Sequence, residues 1–327
     1  QGESNSYEDR LKQEQAIFAD NVNVHDLPDI FHYWSNTYLR PMFTPFGFSN
    51  PYEYFYVYAK AQLESSGDTP VRMASIGTGN GEMEVYVAER LRDDGIENFT
   101  IDCLEINQDM IGRMDELAAS KQVTSFVIGK RQDFNRWRPE PHSYDVIMAN
   151  QSLHHVTDLE HLFEAIATGL KPQGRFLTSD MIGRNGHQRW PEALDVVNAF
   201  WEELPDSYRT NQLLRRKEQK YINHDCSSEG FEGIRAQDIL PLLVDRFHFE
   251  LFIPFGNAVF VFVDRPFGHN FDDQASWDLD FIDRLHAADE QGFMDGSLKP
   301  TSMIASLTLA PVETRLRHPK LTPEFCI

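Results

Sequence analysis

The chain has 327 residues, of which 41% are hydrophobic, enough for one large domain or a core domain with additions. Its net charge of −21 repels a phosphate backbone, so no nucleic-acid partner is expected. The sequence predicts neither a signal peptide nor a membrane-spanning segment, and therefore no membrane association. Its three cysteines lack metal or disulfide spacing, which predicts a cytoplasmic protein without a metal site.

Residues 1–69 are predicted to form a helical cap. The pair Asn50-Pro51 has the pattern of a helix start, a capping residue followed by proline in the first turn. The segment is rich in aromatic residues, and two interpretations stay open. Large aromatic side chains commonly build cores, so the cap can simply pack on the rest of the protein. Alternatively, Tyr33, Trp34 and Tyr38 belong to the roof of a substrate pocket.

A glycine-rich turn follows the first predicted strand. Val71–Ile76 is a short apolar run, and Gly77, Gly79 and Gly81 come directly after it, before a helix-spaced stretch. Glycines in such a turn allow a ligand to approach the backbone N–H groups. Glu105 ends the next apolar run, where its carboxylate can accept from two ribose hydroxyls. The pattern therefore predicts a cofactor that contains adenosine.

Glu82 helps to decide which cofactor this is. A dinucleotide fingerprint has glycine at this position, whereas a carboxylate there would repel a pyrophosphate. The ammonium group of S-adenosylmethionine (SAM) suits an acidic helix start better. We therefore predict SAM as the cofactor and S-adenosylhomocysteine (SAH) as the product, and an NAD-dependent oxidoreductase is disfavoured.

From residue 70 onward, predicted strands and helices alternate, which is typical of a parallel α/β sheet. Strands are expected near 71–76, 100–105, 124–129, 144–149 and 175–180, and helices near 81–93, 108–120 and 158–170. Two long segments, 187–227 and 256–300, lie outside this alternation. Long excursions from a compact sheet are often functional.

Residues 70–182 resemble the class I SAM-dependent methyltransferases. Four features occur in the family's order: the glycine turn, the acidic strand end, Leu153-His154-His155 after the fourth strand, and the turn Lys171-Pro-Gln-Gly-Arg175. The resemblance implies a seven-stranded Rossmann-like sheet with an N-terminal helical cap and insertions after strands five and six. Strand six is expected at 247–254 and an antiparallel strand seven at 303–309. The implied parts are a cap at 1–69, a SAM-binding core at 70–186, and the rest of the core at 187–327 with acceptor-site insertions at 187–230 and 256–300.

The resemblance also implies which residues hold the cofactor. Asp133 would accept from the adenine amino group and Phe134 would flank the ring; the alternative for Asp133 is a helix cap. The family usually has an acid where this chain has Ser75, so Glu82 or Glu84 is expected to supply the charge. The complete predicted set is Gly77, Gly79, Gly81, Glu82, Glu105, Ile106, Asp133, Phe134, Asn150 and Gln151.

Candidate catalytic residues follow the fourth and fifth strands. A neutral imidazole can take up a proton near neutral pH, so His155 is the first candidate base and His154 the second. Asp180, together with His187, is the third candidate. The competing interpretation gives a structural role to one histidine of the pair His154-His155 and makes Asp180 with His187 part of a capped turn.

Two further residues are candidates for substrate binding. Arg184 could meet an anionic acceptor, although pairing with surface carboxylates is the alternative, and Trp190 begins the first excursion. The sequence thus predicts a methyltransferase that acts on a small-molecule or glycan-like acceptor, through O-methylation. A homodimer is compatible with the sequence. Two alternatives remain: a SAM-binding enzyme of the same fold that transfers no methyl group, and a catalytically silent SAM-binding subunit.

Overall fold

The computed structural model describes Tyr7 and residues 26–327. Within them, one central sheet has the strand order β10-β8-β9-β5-β4-β1-β2-β3, and a two-stranded hairpin, β6-β7, lies apart from it. The strands are β1 (Val71–Ile76), β2 (Phe99–Glu105), β3 (Val127–Arg131), β4 (Tyr144–Asn150), β5 (Leu170–Met181), β6 (Thr210–Asn211), β7 (Arg216–Lys217), β8 (His248–Phe255), β9 (Ser302–Thr308) and β10 (Arg315–Leu316).

Helices connect these strands and form the N-terminal part of the described chain. They are α1 (Asp29–Trp34), α2 (Arg40–Phe43), α3 (Pro51–Ser65), α4 (Glu82–Asp93), α5 (Gln108–Ser120), α6 (Leu159–Gly169), α7 (Pro191–Glu203), α8 (Ala236–Arg246), α9 (Val259–Val263), α10 (Arg265–Gly268) and α11 (Ser276–Asp295). A π-helical turn, Ser35–Leu39, joins α1 to α2. Among the described residues, no helix has both the length and the apolar character needed to cross a membrane.

The sheet confirms the predicted fold class. Strands β1 to β5 pair in parallel, with β1 between β2 and β4. Strand β9 is antiparallel to both β5 and β8, as expected of the seventh strand. In an open α/β sheet, ligands bind at the carboxyl ends of the strands where the strand order reverses, which here is the crevice between β1 and β4.

Three local features differ from the sequence expectations. A two-residue strand, β10, pairs with the edge of β8 and makes eight strands instead of seven. Strand β3 begins at Val127, because Phe126 N donates to Val123 O and closes a turn there. The turn expected at 171–175 lies within the irregular beginning of β5, where the pairing with β4 shifts register.

The N-terminal aromatic residues pack mainly into the core. Trp34 has no exposed surface, and its Nε1 donates to His286 Nδ1 at 3.1 Å. The hydroxyls of Tyr33 and Tyr38 both donate to Asp283 Oδ1, each at 2.7 Å. The structure therefore places these three side chains in contact with α11, and their role in substrate binding stays a prediction.

Candidate functional site

The glycine turn after β1 has a conformation that only glycine adopts without strain. Gly77, Gly79 and Gly81 have φ angles of +64°, +56° and +75°. A Cβ added to Gly77 would lie 2.7 Å from Ser152 Cβ, and one added to Gly81 would lie 2.1 Å from Met114 Cγ. The turn thus passes directly beside Ser152, which follows β4, and beside Met114 of α5. Both close approaches require a residue without a side chain.

Glu105 closes one side of this turn. Its carboxylate is buried; Oε1 accepts from Gly79 N at 3.0 Å and Oε2 accepts from Asn107 N at 2.8 Å. These two bonds fix the carboxylate at the end of β2, beside the partly buried Ile106. Since each carboxylate oxygen can accept more than one hydrogen bond, this geometry leaves acceptor capacity for ribose hydroxyls.

Several polar atoms at the turn are buried without a partner among the described residues. They include Thr78 Oγ1, Asn80 Oδ1 and Glu84 Oε2. The other oxygen of Glu84 accepts from Ser75 Oγ at 3.0 Å, and burial raises the pKa of this carboxyl to about 7. Because unpartnered buried polar atoms are costly, the turn fits a polar ligand that satisfies them. Glu84, rather than the exposed Glu82, lies beside Ser75, where the family's usual acid is missing.

Asp133 and Phe134 follow β3, and the Phe134 ring reaches the turn. Asp133 caps a short helical turn by accepting from Asn135 N at 2.9 Å, and its Oδ2 accepts from the hydroxyl of Tyr7 at 2.8 Å. The capping interpretation is therefore observed. A Cβ on Gly77 would lie 3.6 Å from Phe134 Cε1, so this ring lines the turn. The adenine-binding roles of both residues stay predictions.

The end of β4 leads the chain from the sheet into the site. Gln151 has a φ of +53°, an uncommon conformation for a residue other than glycine. Its N donates to Ser179 O at 2.8 Å, and its Nε2 donates to Ser179 Oγ at 3.3 Å. Asn150 pairs with Ser179 in the sheet. The chain then passes Ser152, which lies against Gly77, and enters the short helical turn Leu153–His155.

Five side chains gather next to this exit, and we refer to them as the histidine cluster: His154, His155, Asp180, His187 and Glu232. His154 Nδ1 lies 2.6 Å from Asp180 Oδ1, and its Nε2 lies 3.2 Å from Glu232 Oε1. His187 Nε2 lies 2.8 Å from the same Glu232 oxygen, and His155 Nε2 lies 3.5 Å from Glu232 Oε2. Glu232 is therefore the common partner of the three imidazoles.

The backbone holds the cluster in place from two sides. Asp180 Oδ2 accepts from Leu153 N at 2.8 Å, which ties the end of β5 to the turn after β4. Gly186 N donates to Gly233 O at 2.8 Å, and a Cβ on Gly233 would lie 3.1 Å from His187 Cε1. Ile234 N donates to His154 O at 3.1 Å. These contacts bring the segment containing Glu232 against the turn that carries His154 and against the segment that carries His187.

The pKa values of His154, His187 and Glu232 are shifted, and the shifts give these groups different charges at neutral pH. Burial lowers the pKa of His154, but the carboxylates of Asp180 and Glu232 outweigh it and raise the value to about 10. For His187, burial dominates and lowers the pKa. Burial raises the pKa of Glu232, yet His155 and His154 hold it well below its usual range. At neutral pH, His154 is thus an imidazolium, Glu232 a carboxylate and His187 a neutral imidazole.

One predicted pairing is wrong. Asp180 was expected to act with His187, whereas the structure pairs Asp180 with His154 and pairs His187 with Glu232. The reason is that the chain after β5 turns away through Gly186, whose φ is +67°. Sequence reasoning missed Glu232, because nothing in the local pattern around it indicates that it folds back onto the turn after β4.

Arg184, which is partly buried, and the exposed Trp190 form a pair on the chain segment that carries His187. The Arg184 guanidinium lies 5.1 Å from the centre of the Trp190 ring, within the range of a cation–π interaction. Arg184 Nη1 also donates to Arg189 O at 3.3 Å, and Trp190 is 38% exposed. The pair presents a flat surface with a positive charge, and its role in substrate binding remains a prediction.

Comparisons with known proteins agree with this geometry. The sequence pattern of the family described as methyltransferase domain matches residues 52–231, more than half of the chain. Malonyl-(acyl-carrier protein) O-methyltransferase 2 of Ilyobacter polytropus is 25% identical over 45% of this chain and 52% of its own length. The 27-O-demethylrifamycin SV methyltransferase of Amycolatopsis mediterranei is 27% identical over 34% of this chain and 39% of its own. The chain thus spans about half or less of the length of these two relatives.

Among solved structures, the geranyl diphosphate C-methyltransferase of Streptomyces coelicolor is 14% identical, with a TM-score of 0.43, and the match covers 78% of this chain and 79% of that one. The family match, the parallel sheet and the glycine turn confirm the predicted enzyme class and its cofactor, SAM. The chain belongs to the methyltransferase-domain family, as a class I SAM-dependent methyltransferase.

Proposed function

We propose that this methyltransferase transfers a methyl group to a hydroxyl oxygen of a small-molecule or glycan-like acceptor, with His187 as the base. The observation that carries this proposal is a neutral imidazole oriented by a carboxylate within the histidine cluster, next to the turn that follows β4. His187 Nε2–H donates to Glu232, which leaves the lone pair on Nδ1. By contrast, both ring nitrogens of His154 face carboxylates, so this residue has the weaker geometry for a base.

Each residue has a defined part in the transfer. When bound, SAM would supply an activated methyl group, with the sulfur of SAH as the leaving group. The hydroxyl proton passes to His187 Nδ1, and the negative charge of Glu232 stabilises the imidazolium that results. Glu105 and the glycine turn hold the cofactor, so the chain contributes mainly orientation and removal of the proton.

One observation supports the acceptor class, and a second supports oxygen as the methylated atom. The exposed Trp190 ring, with Arg184 against it, offers a surface on which a planar or sugar-like ring can stack. Both named relatives described above transfer methyl groups, and one of them is named as an O-methyltransferase. These similarities support oxygen as the methylated atom, while the specific acceptor stays open.

A His187→Gln variant tests the base. General-base help is worth about 10²- to 10⁴-fold in rate, so we expect turnover to fall by that order while SAM affinity is retained. Formation of SAH is measured with a panel of glycosides and phenols, and SAM affinity is measured by calorimetry. His248→Gln, at an exposed position at the start of β8, is the matched control. Wild-type turnover in His187→Gln would remove this residue from the mechanism.

The same assay separates methyl transfer from its alternatives. A methyltransferase releases one SAH for each methylated product. Consumption of an acceptor without SAH would indicate non-methylating chemistry. SAM binding without any turnover across the panel would favour a silent subunit.

A further inference from the structure

We propose that the histidine cluster binds a divalent transition-metal ion through His154 Nε2, His155 Nε2 and the Glu232 carboxylate. The sequence predicts no metal site, because these ligands come from two distant segments and follow no familiar spacing. The binding of the ion stands on the geometry alone. Its use in catalysis rests on the proposed function, since it would lie in the acceptor site.

The distances between the donor atoms suit one ion. One ligand atom from each of the three residues lies within 4.8 Å of the others. His154 Nε2 lies 3.2 Å from Glu232 Oε1, and His155 Nε2 lies 3.5 Å from Glu232 Oε2. Two ligands that each lie about 2.1 Å from a tetrahedral ion are about 3.4 Å apart. Both separations between a histidine nitrogen and the carboxylate are therefore close to the value that coordination requires.

The surroundings of these ligands are those of a metal site. Asp180 lies 2.6 Å from His154 Nδ1 and would keep that nitrogen protonated, so that the ion displaces the proton on Nε2 and binds there. Asp180 is itself fixed by Leu153 N and Met181 N, each at 2.8 Å. His187 donates to Glu232 Oε1 and orients the third ligand. A carboxylate behind a ligating histidine is a recurring arrangement around metals in proteins.

The ligand types indicate which ions would bind. Two imidazoles and one carboxylate suit Zn²⁺, Mn²⁺ or Fe²⁺, whereas Ca²⁺ and Mg²⁺ prefer oxygen ligands. Three protein ligands leave at least one coordination position open. An acceptor hydroxyl bound there would lose its proton more readily, and the proton would pass to His187. This favours acceptors that present adjacent oxygens, such as vicinal diols, catechols or hydroxy acids.

Metal binding is tested on the full chain after treatment with a chelator. Titration with ZnSO₄ in a calorimeter is expected to show one saturable site per chain. Glu232→Gln and the double variant His154→Ala/His155→Ala should weaken affinity at least 10-fold, and Asp180→Asn should weaken it 10- to 100-fold. Cys226→Ser, which alters a nearby thiol outside the proposed donor set, should keep wild-type affinity. Circular dichroism verifies that each variant is folded.

Titration of the unaltered chain with CoCl₂ gives a second readout that needs no variant. Visible absorption bands of a four- or five-coordinate Co²⁺ with nitrogen and oxygen ligands are expected, and ZnSO₄ should displace them. Absence of saturable binding, or wild-type affinity in folded Glu232→Gln, would overturn the proposed site. If the metal-free chain methylates an acceptor at full rate, the ion has no catalytic role and the proposed function still stands. If the ion binds but no acceptor yields SAH, the site stands and the proposed function fails.

Discussion

At the scale of single residues, Glu105 links the predicted binding of the cofactor to the conformation of the glycine turn. Its two oxygens already accept from Gly79 N and Asn107 N, so the carboxylate is positioned before any ligand arrives. Such preorganisation lowers the entropic cost of binding. The sequence predicted the role of this residue from its place at the end of a strand, although it could not show these two bonds.

Replacing Glu105 with alanine should weaken SAM binding by about 1–3 kcal/mol, because charge-assisted bonds to the ribose and the support of Gly79 are lost together. Isothermal titration calorimetry with SAM measures the change. Glu97→Ala, at an exposed position before β2, is the control for removing one negative charge. Equal affinities of wild type and Glu105→Ala would rule out the assigned role.

Glu84 should make the stability of the cofactor-free chain depend on pH. Its pKa is about 7 in the folded chain and 4.5 ordinarily, because burial favours the protonated form. The folded state therefore binds more protons between these values, and its stability falls as pH rises from about 4.5 to 7 and stays lower above. The loss amounts to at most about 3 kcal/mol.

A Glu84→Gln variant should lose this pH dependence and melt at a higher temperature than the wild type at pH 8. Thermal unfolding followed by circular dichroism between pH 5 and 8 gives the comparison, and the exposed Glu97→Gln is the control. An identical pH profile in Glu84→Gln and the wild type would contradict the assignment.

At the scale of elements, the glycine turn is a connection with little tolerance for change. Gly81 combines a φ of +75° with a position where a Cβ would lie 2.1 Å from Met114 Cγ. Gly296 has a similar φ of +81°, but no atom lies within 4 Å of its would-be Cβ. Comparing the same substitution at the two positions therefore separates the cost of backbone strain from the cost of steric clash.

Gly81→Ala should lower the free energy of unfolding by about 2–5 kcal/mol, the sum of strain and overpacking. Gly296→Ala should cost only the strain, about 1–2 kcal/mol. Urea unfolding of both variants and the wild type measures the difference. Equal losses at the two positions would mean that Met114 moves aside freely.

A structural feature could be predicted from the sequence when adjacent residues determine it, and not when distant residues do. Strand β1 follows from its apolar run, and the glycine turn follows from its three glycines, because both are properties of adjacent residues. Strand β10 has only two residues and exists because β8 offers a free edge, which no local pattern encodes. Glu232 joins the site through contacts between Gly186 and Gly233, so its role arises from the tertiary fold.

At the scale of the whole molecule, the N-terminal helices belong to the core of the methyltransferase fold. Tyr54 and Phe55 of α3 are fully buried, and they share one hydrophobic cluster with Met73 of β1. The hydroxyl of Tyr54 also donates to Ala305 O in β9 at 2.6 Å. Of the two interpretations of the aromatic segment, packing accounts for these side chains.

A chain that starts at Pro70 should therefore fail to fold, rather than merely lose acceptor turnover. The truncation removes Trp34, Tyr54 and Phe55 from the core, and burial of such a large apolar side chain is worth about 1.5–3 kcal/mol. The summed loss is comparable with the whole stability of an ordinary domain. Circular dichroism should show no cooperative thermal transition for the truncated chain.

The Tyr54→Phe variant of the untruncated chain provides the graded comparison. It loses one buried hydrogen bond, which costs about 1–2 kcal/mol, and should remain folded. A cooperative transition in the truncated chain would show that the sheet is stable alone, and the N-terminal helices would then be an accessory to the fold.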